Sequence, residues 1–293
     1  MYLTLVLFNA LVTAAYLVLC SKVMKESGLS PNATIAAVHL PAAALLAIPA
    51  FLQPHGRFAV SGAVLSWLAI TSGLKLLSKE LAFFGYANTD VADVTVWSAF
   101  IPIFGLLFGV VMLNERVAPV ELLGTLIVCV SVYLLFPKRD AARGPLGFLS
   151  PFFALGRGPV LAAVLSVVPI ALASVYMKKS ALVMGELPFS FVSTLLIGLG
   201  AAVIESPRPA AYRGVPTLGL LGIAALFALA QASWVALMTH ERVAHTVAFQ
   251  PLGIVFQMAL AYAFLGERDT PVKRLACGTG IVAGSALLHL GGR

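Results

Sequence analysis

The sequence predicts an all-α integral membrane protein of ten transmembrane helices arranged as two inverted five-helix repeats. Three observations predict it. Of 293 residues, 60% are hydrophobic and only 11% charged, against roughly 25% charged in soluble domains, and the mean hydropathy is +0.98. Apolar stretches near the ~20 residues that a spanning helix needs follow one another with short connections. Finally, the second half of the chain repeats the first in register, at a constant offset of 152 residues (Leu113 to Leu265).

Breaks at glycine, proline and charge clusters delimit the elements. The first span covers 2 to 23; its apolar run, Tyr2 to Cys20, has no basic segment before it and no cleavage site ahead of Ser21 and Lys22, so it reads as a retained helix and not a removed leader. Spans at 32 to 52, 59 to 86, 91 to 113 and 117 to 136 complete a first unit, residues 1–137. The longest polar connection, 138–157, holds Lys138, Arg139, Asp140, Arg143 and Arg157. A second unit, 158–293, supplies spans at 158 to 182, 188 to 205, 215 to 238, 243 to 265 and 271 to 290.

The repeat is specific. Leu113, Glu115, Arg116, Pro119, Val120 and Leu123 match Leu265, Glu267, Arg268, Pro271, Val272 and Leu275, and the register runs back without a gap to Val91-Ala92 and Val243-Ala244. At the front of each unit a lysine stands nine residues before a proline in a Gly-x-x-Pro turn, Lys22 before Pro31 and Lys179 before Pro188. Five spans are an odd number, so the second unit enters the bilayer from the opposite side and the two are related by a pseudo-two-fold axis in the membrane plane. Inverted repeats of this kind place a transport site at their interface, near the midplane.

Net charge of +7 comes from 19 Lys and Arg scattered singly or in pairs, at helix ends for the most part. That pattern suits snorkelling and topology and excludes a nucleic-acid-binding stripe. Cys20, Cys129 and Cys277 lie in separate apolar stretches without metal-ligand spacing, so no metal and no cofactor is expected. No Walker, Gly-x-Ser-x-Gly or His-Glu-x-x-His motif occurs, which argues against ATP-driven transport and against an enzyme.

Two turns, Leu113-Asn-Glu-Arg-Val-Ala-Pro119 and Leu265-Gly-Glu-Arg-Asp-Thr-Pro271, each between two apolar spans, together with the paired Lys-x8-Pro turns, resemble the drug/metabolite transporter superfamily, in its ten-helix branch built from two EamA-type domains. The resemblance covers nearly the whole chain. It implies alternating access around a central cavity, a small-molecule substrate, a multi-pass location in a bacterial-type inner or plasma membrane, and both termini on the cytoplasmic side. Superfamily members carry amino acids, nucleotide sugars, sugar phosphates and amines, so the resemblance leaves the substrate open. The lysine and Lys-Arg pair of plastid triose-phosphate carriers are replaced here by Trp97-Ser98 before Pro102 and by Thr246-Val-Ala-Phe-Gln-Pro251, and the Gly-Ala-Leu-Asn-Lys pattern of GDP-mannose carriers is absent.

Ionisable groups inside spans cost at least ~2.5 kcal/mol on insertion scales, so each requires a partner, a water-filled cavity or a route to the surface. Lys75 lies near the centre of the third span and Lys79 one turn further on the same face. They form either a cationic wall for an anionic group or a structural pair neutralised by Glu80, Asp90 or Asp93. Gln231 is the repeat mate of Lys79, with Ser233 and Trp234 beside it. Trp97 and Ser98 match Phe249 and Gln250, an aromatic and hydrogen-bonding combination that suits an amphipathic solute. Asn9, His39 and Tyr176 are lone polar residues within their spans. The substrate-binding candidates are therefore Asn9, His39, Lys75, Lys79, Trp97, Ser98, Tyr176, Gln231, Trp234, Phe249 and Gln250.

His240 and His245, at a span boundary, are candidates for coupling to pH, set against an ordinary loop role. Glu115 and Glu267 read as helix-end structure, each at the start of the helix that follows. The stripes Gly105-x-x-x-Gly109 and Gly280-x-x-x-Gly284 permit close helix approach, within one chain or in a homodimer through the last helix. Counting positive charge, the loops after spans one, five, seven and nine hold 11 Lys and Arg and the opposite side six, which by the positive-inside rule puts both termini outside, against the resemblance. The function expected is secondary transport of a small organic metabolite, amino acids and related zwitterions or anions foremost. Phosphorylated sugars, nucleotide sugars, and lipids or amphipathic drugs are the alternative cargoes, and a channel or a membrane-embedded enzyme the alternative classes.

Overall fold

The computed structural model describes residues 2–53, 61–98, 100–135, 154–205, 212, 215–265 and 278–287. Among them there are helices and no strands. In chain order they are α1 Tyr2–Ser27, α2 Pro31–Leu52, α3 Gly62–Asn88, α4 Val91–Ser98, α5 Ile101–Leu113, α6 Pro119–Leu135, α7 Gly158–Met184, α8 Glu186–Glu205, α9 Thr217–His240, α10 Val243–Ala248, α11 Leu252–Leu265 and α12 Gly278–Leu287, with a short 3₁₀ turn Ala154–Gly156 before α7. Most of the 138–157 connection, the turn containing Glu267, Arg268 and Pro271, and Cys277 lie outside the described residues.

Among the described residues six stretches are long and apolar enough to cross a membrane: α1, α2, α7, α8, α9, and α10 with α11 taken together as Val243–Leu265; α5, α6 and α12 are shorter apolar helices. Helix α3 matches the long ones at 27 residues but carries Lys75, Lys79 and Glu80. Large apolar side chains point outward from these helices, Val111, Val203 and Leu218 among them. Water would leave such surface uncovered at great cost, whereas acyl chains solvate it.

Local chemistry sets the helix ends. Ser30 caps α2 by accepting from the Ala33 amide, with Pro31 in the first turn, where a missing N–H costs nothing. Gly28 and Gly185 both have positive φ, 68° and 93°, and so turn the chain sharply into α2 and α8. The fourth and ninth spans, expected to be continuous, are each interrupted. Between α4 and α5 the Phe100 and Ile103 amides reach back three residues, and the same tight bonding runs from Phe249 through Ile254 between α10 and α11. Pro102 and Pro251 lack the N–H that an unbroken helix would need there.

Helix α3 lies along α7, and α2 along α8; α1 packs between α9 and α11. The α3–α7 contact is pinned by Ser78 Oγ donating to the Ser166 carbonyl at 2.8 Å, and α1 is pinned to α3 by Ser21 Oγ on the Tyr86 carbonyl at 3.1 Å. The glycine stripes are used inside the chain. A Cβ on Gly105 would stand 2.8 Å from Val247 Cγ1 of α10, and one on Gly284 2.7 Å from Val128 Cγ2 of α6. The Gly280–Gly284 surface therefore meets α6 of the same chain, and the homodimer given as the alternative to packing within one chain is not supported.

Candidate functional site

A central cavity of about 220 Å³ opens between α1, α3, α4, α7, α9 and the α10–α11 break. Its α3 wall is a helical stripe, Lys75, Ser78, Lys79, Ala82, Phe83 and Tyr86. At 1.5 Å of rise per residue this stripe extends ~16 Å along the helix axis. Eight of the eleven sequence candidates line the cavity: Asn9, Lys75, Lys79, Ser98, Gln231, Trp234, Phe249 and Gln250.

The other three stand elsewhere. The His39 ring packs against Phe227 at 4.1 Å between centroids and its Nδ1 meets the Ile35 carbonyl at 2.9 Å, so Phe227 screens it from the cavity. Trp97 is buried and stacked on Phe100. Tyr176 is half-buried on α7 with Lys179 over its ring.

Lys75 is 4% exposed. Its ammonium donates to Gln231 Oε1 and to Met177 Sδ, both at 3.3 Å, and sits 5.9 Å from the Phe189 ring. Lys79 donates to the Tyr16 hydroxyl at 3.2 Å and lies over the Phe227 ring at 4.7 Å. Two of the three acids named as neutralising partners are engaged elsewhere: Glu80 accepts from Asn32 at 3.1 Å and Asp93 from Thr89 at 3.2 Å. Among the described residues neither ammonium has a carboxylate in ion-pair contact, and no Asp or Glu lines the cavity. Among the described residues, the two lysine side chains of this wall are thus held by neutral dipoles and ring faces.

Neutral polar groups complete the lining. Asn9 donates both amide hydrogens to α9, to the Ala230 carbonyl and Ser233 Oγ at 2.8 Å each. Thr95 Oγ1 donates to Gln257 Oε1 at 2.7 Å across α4 and α11. The buried Gln231 Nε2 and Gln250 Oε1 have no hydrogen-bond partner among the described residues. Aromatic rings run along one side: Phe227 to Tyr16 at 5.0 Å, Tyr16 to Phe83 at 6.2 Å, Phe83 to Tyr86 at 6.3 Å.

Tyr16, Ser78, Tyr86 and Gln257 line the cavity and were not among the sequence candidates. The signal was helical spacing. Tyr16 is seven residues from Asn9, Ser78 three from Lys75, Tyr86 seven from Lys79 and Gln257 seven from Gln250, each on the face of a chosen residue.

At the end of the molecule that carries Tyr2 and His240, charges bolt the two halves together. Glu115 accepts from the Val243 and Ala244 amides at 2.7 and 2.9 Å, opening α10, and from Lys178 at 3.2 Å. Arg242 pairs with Glu121 at 2.5 Å and also donates to the Arg116 carbonyl. The sequence placed Glu115 at the start of the following helix. That position is filled by Glu121, which accepts from the Ala118 amide at 2.7 Å, while Glu115 serves a helix of the other half. His245 stacks on Tyr2 and lies 3.6 Å from Glu241, and His240 is 3.3 Å from Glu186; neither lines the cavity.

Residues 1–136 match the model of the EamA-like transporter family. No curated protein matches the chain. A solved crystal structure of a protein shares the fold, with a TM-score of 0.69 over 97% of each chain at 15% identity.

Proposed function

We propose that this chain, a multi-pass membrane protein whose residues 1–136 are an EamA-like transporter domain, is a secondary transporter of a small organic solute that carries a carboxylate, as an anion or a zwitterion. Transport of small molecules is what the family implies; the cargo is read from the cavity. The observation that carries it is the pair of lysine side chains, Lys75 and Lys79, facing a cavity that no Asp or Glu lines among the described residues. A charge withdrawn from water without an opposite charge is costly, and a carboxylate entering the cavity supplies the missing partner. Phosphorylated cargo is less well matched, since phosphate is held best by the bidentate fork of arginine and no arginine lines the cavity among the described residues.

The same reading takes the chain as ten spans in two inverted repeats working by alternating access. Crosswise contacts support it. At the offset of 152, Lys75 corresponds to Phe227 and Lys79 to Gln231; Lys75 bonds Gln231 and Lys79 lies over Phe227. Thr95 corresponds to Val247 and Gly105 to Gln257; Thr95 bonds Gln257, and Gly105 abuts Val247. Reciprocal pairs of this form arise when a two-fold axis relates two units. The helix breaks fall at matching positions as well. The Glu115–Lys178 and Arg242–Glu121 pairs join the repeats at one end.

A stabilisation panel tests the cargo reading. The purified protein is warmed with small solutes sorted by charge, since a ligand of the folded state raises stability by mass action. Stabilisation by anions and zwitterions and by no cation is the expected result. Stabilisation by cations alone would overturn the reading.

A further inference from the structure

The substrate class can be narrowed, on the footing that the cavity is the transport site. We propose that the preferred solute is an arylalkyl carboxylate, an anion with an aromatic body and no ammonium group. Two independent features of the cavity carry this.

The first is charge balance. Among the described residues the wall holds Lys75 and Lys79 and no acid. A zwitterion leaves that balance unchanged, because its own ammonium group adds back what its carboxylate removes; a simple anion lowers it by one. An ammonium in water-poor surroundings needs a carboxylate, or failing that the face of an aromatic ring. The rings nearest the lysines are already taken, since the Lys79 ammonium lies 5.2 Å from the Tyr16 ring and 4.7 Å from that of Phe227. Amide dipoles such as Gln250 Oε1 offer a hydrogen bond and no charge.

The second is the ring wall. Phe227, Tyr16, Phe83 and Tyr86 succeed one another at 5.0 to 6.3 Å between centroids, beginning beside the Lys79 ammonium and leading away from it along α3. Centroid spacings of this size are those of favourable tilted and edge contacts. A solute with its carboxylate at Lys75 and Lys79 lays an attached ring on this wall, with the two joined by a short methylene link.

Three compounds sharing one body separate the possibilities: 3-phenylpropanoate, phenylalanine and 2-phenylethylamine, measured by equilibrium binding to the purified full-length protein. The expected order is the anion at least about tenfold tighter than the zwitterion, with the amine unbound. In the Lys79→Met variant, whose loss of one charge leaves the aromatic wall in place, the anion-to-zwitterion ratio falls towards one. Phenylalanine binding as tightly as phenylpropanoate overturns the inference and leaves the transport reading standing. Preferential binding of the amine overturns both. Binding of none of the three overturns the inference, and the charge-sorted stabilisation panel then judges the transport reading by itself.

Discussion

Replacing Lys75 by methionine should push binding and stability in different directions. The side chains are similar in length, so the substitution removes a charge and leaves little void. In the folded protein the ammonium is 4% exposed and held by Gln231 Oε1 and Met177 Sδ at 3.3 Å. Burying such an ion costs several kcal/mol even after relaxation. Its removal recovers part of that, while Gln231 Oε1, left without a donor, gives back about 1–3 kcal/mol. The net expectation is a fold as stable as the parent or up to about 2 kcal/mol more stable. Binding moves the other way. A carboxylate ~4 Å from an ammonium gains ~4 kcal/mol at an effective dielectric of ~20. After its own desolvation, about 2–3 kcal/mol is lost with the charge, roughly 30- to 150-fold in affinity. Thermal unfolding without ligand and anion titration of the same preparation read the two effects. A variant that unfolds more than about 2 kcal/mol earlier, with anion affinity unchanged, would make Lys75 a structural residue and refute the reasoning.

Other substitutions test the frame around the site. Glu115→Gln keeps one acceptor but turns an NH₂ against either the Ala244 amide or the Val243 amide and Lys178, and should lower stability by roughly 2–3 kcal/mol, read as a fall in unfolding temperature; no change would remove the cross-repeat bolt. Gly105→Ala drives a methyl to 2.8 Å from Val247 Cγ1 and should cost about 1–3 kcal/mol by overpacking. Gly73→Ala, whose new Cβ meets nothing within 4 Å, should gain up to about 1 kcal/mol from helix propensity; equal effects at the two positions would mean that α5 and α10 do not pack as described. A double-mutant cycle with Thr95→Val and Gln257→Leu should return about 1 kcal/mol of coupling, the worth of a buried neutral hydrogen bond, and additive effects would deny the bond.

How much of this the sequence showed depends on the range of the signal. Hydropathy is a long, redundant pattern, so the all-helical class and the apolar stretches that form α1, α2, α7, α8, α9 and α10–α11 were legible from residues alone. Lys75, Lys79, Gln231 and Gln250 stood out because a polar group in an apolar span is conspicuous. What a side chain faces is another matter. His39 is as conspicuous as Asn9, yet Phe227 stands between it and the cavity, and nothing local to either sequence position says so. The helix breaks at Pro102 and Pro251 were hidden because proline is common in membrane helices and interrupts only some of them. Glu115 was assigned to the nearest helix in sequence; its partners, Val243 and Ala244, lie more than a hundred residues on, and only the meeting of the two halves brings them to its carboxylate.

The central claim, that an acid-free cavity with two lysines carries organic anions, is tested most directly by counterflow in proteoliposomes, comparing the parent with the Lys75→Met/Lys79→Met double variant after both are shown to be folded. The account predicts saturable uptake of labelled anion into anion-loaded vesicles by the parent and its loss in the double variant. Undiminished uptake by the double variant, or uptake by the parent that never saturates, would contradict it.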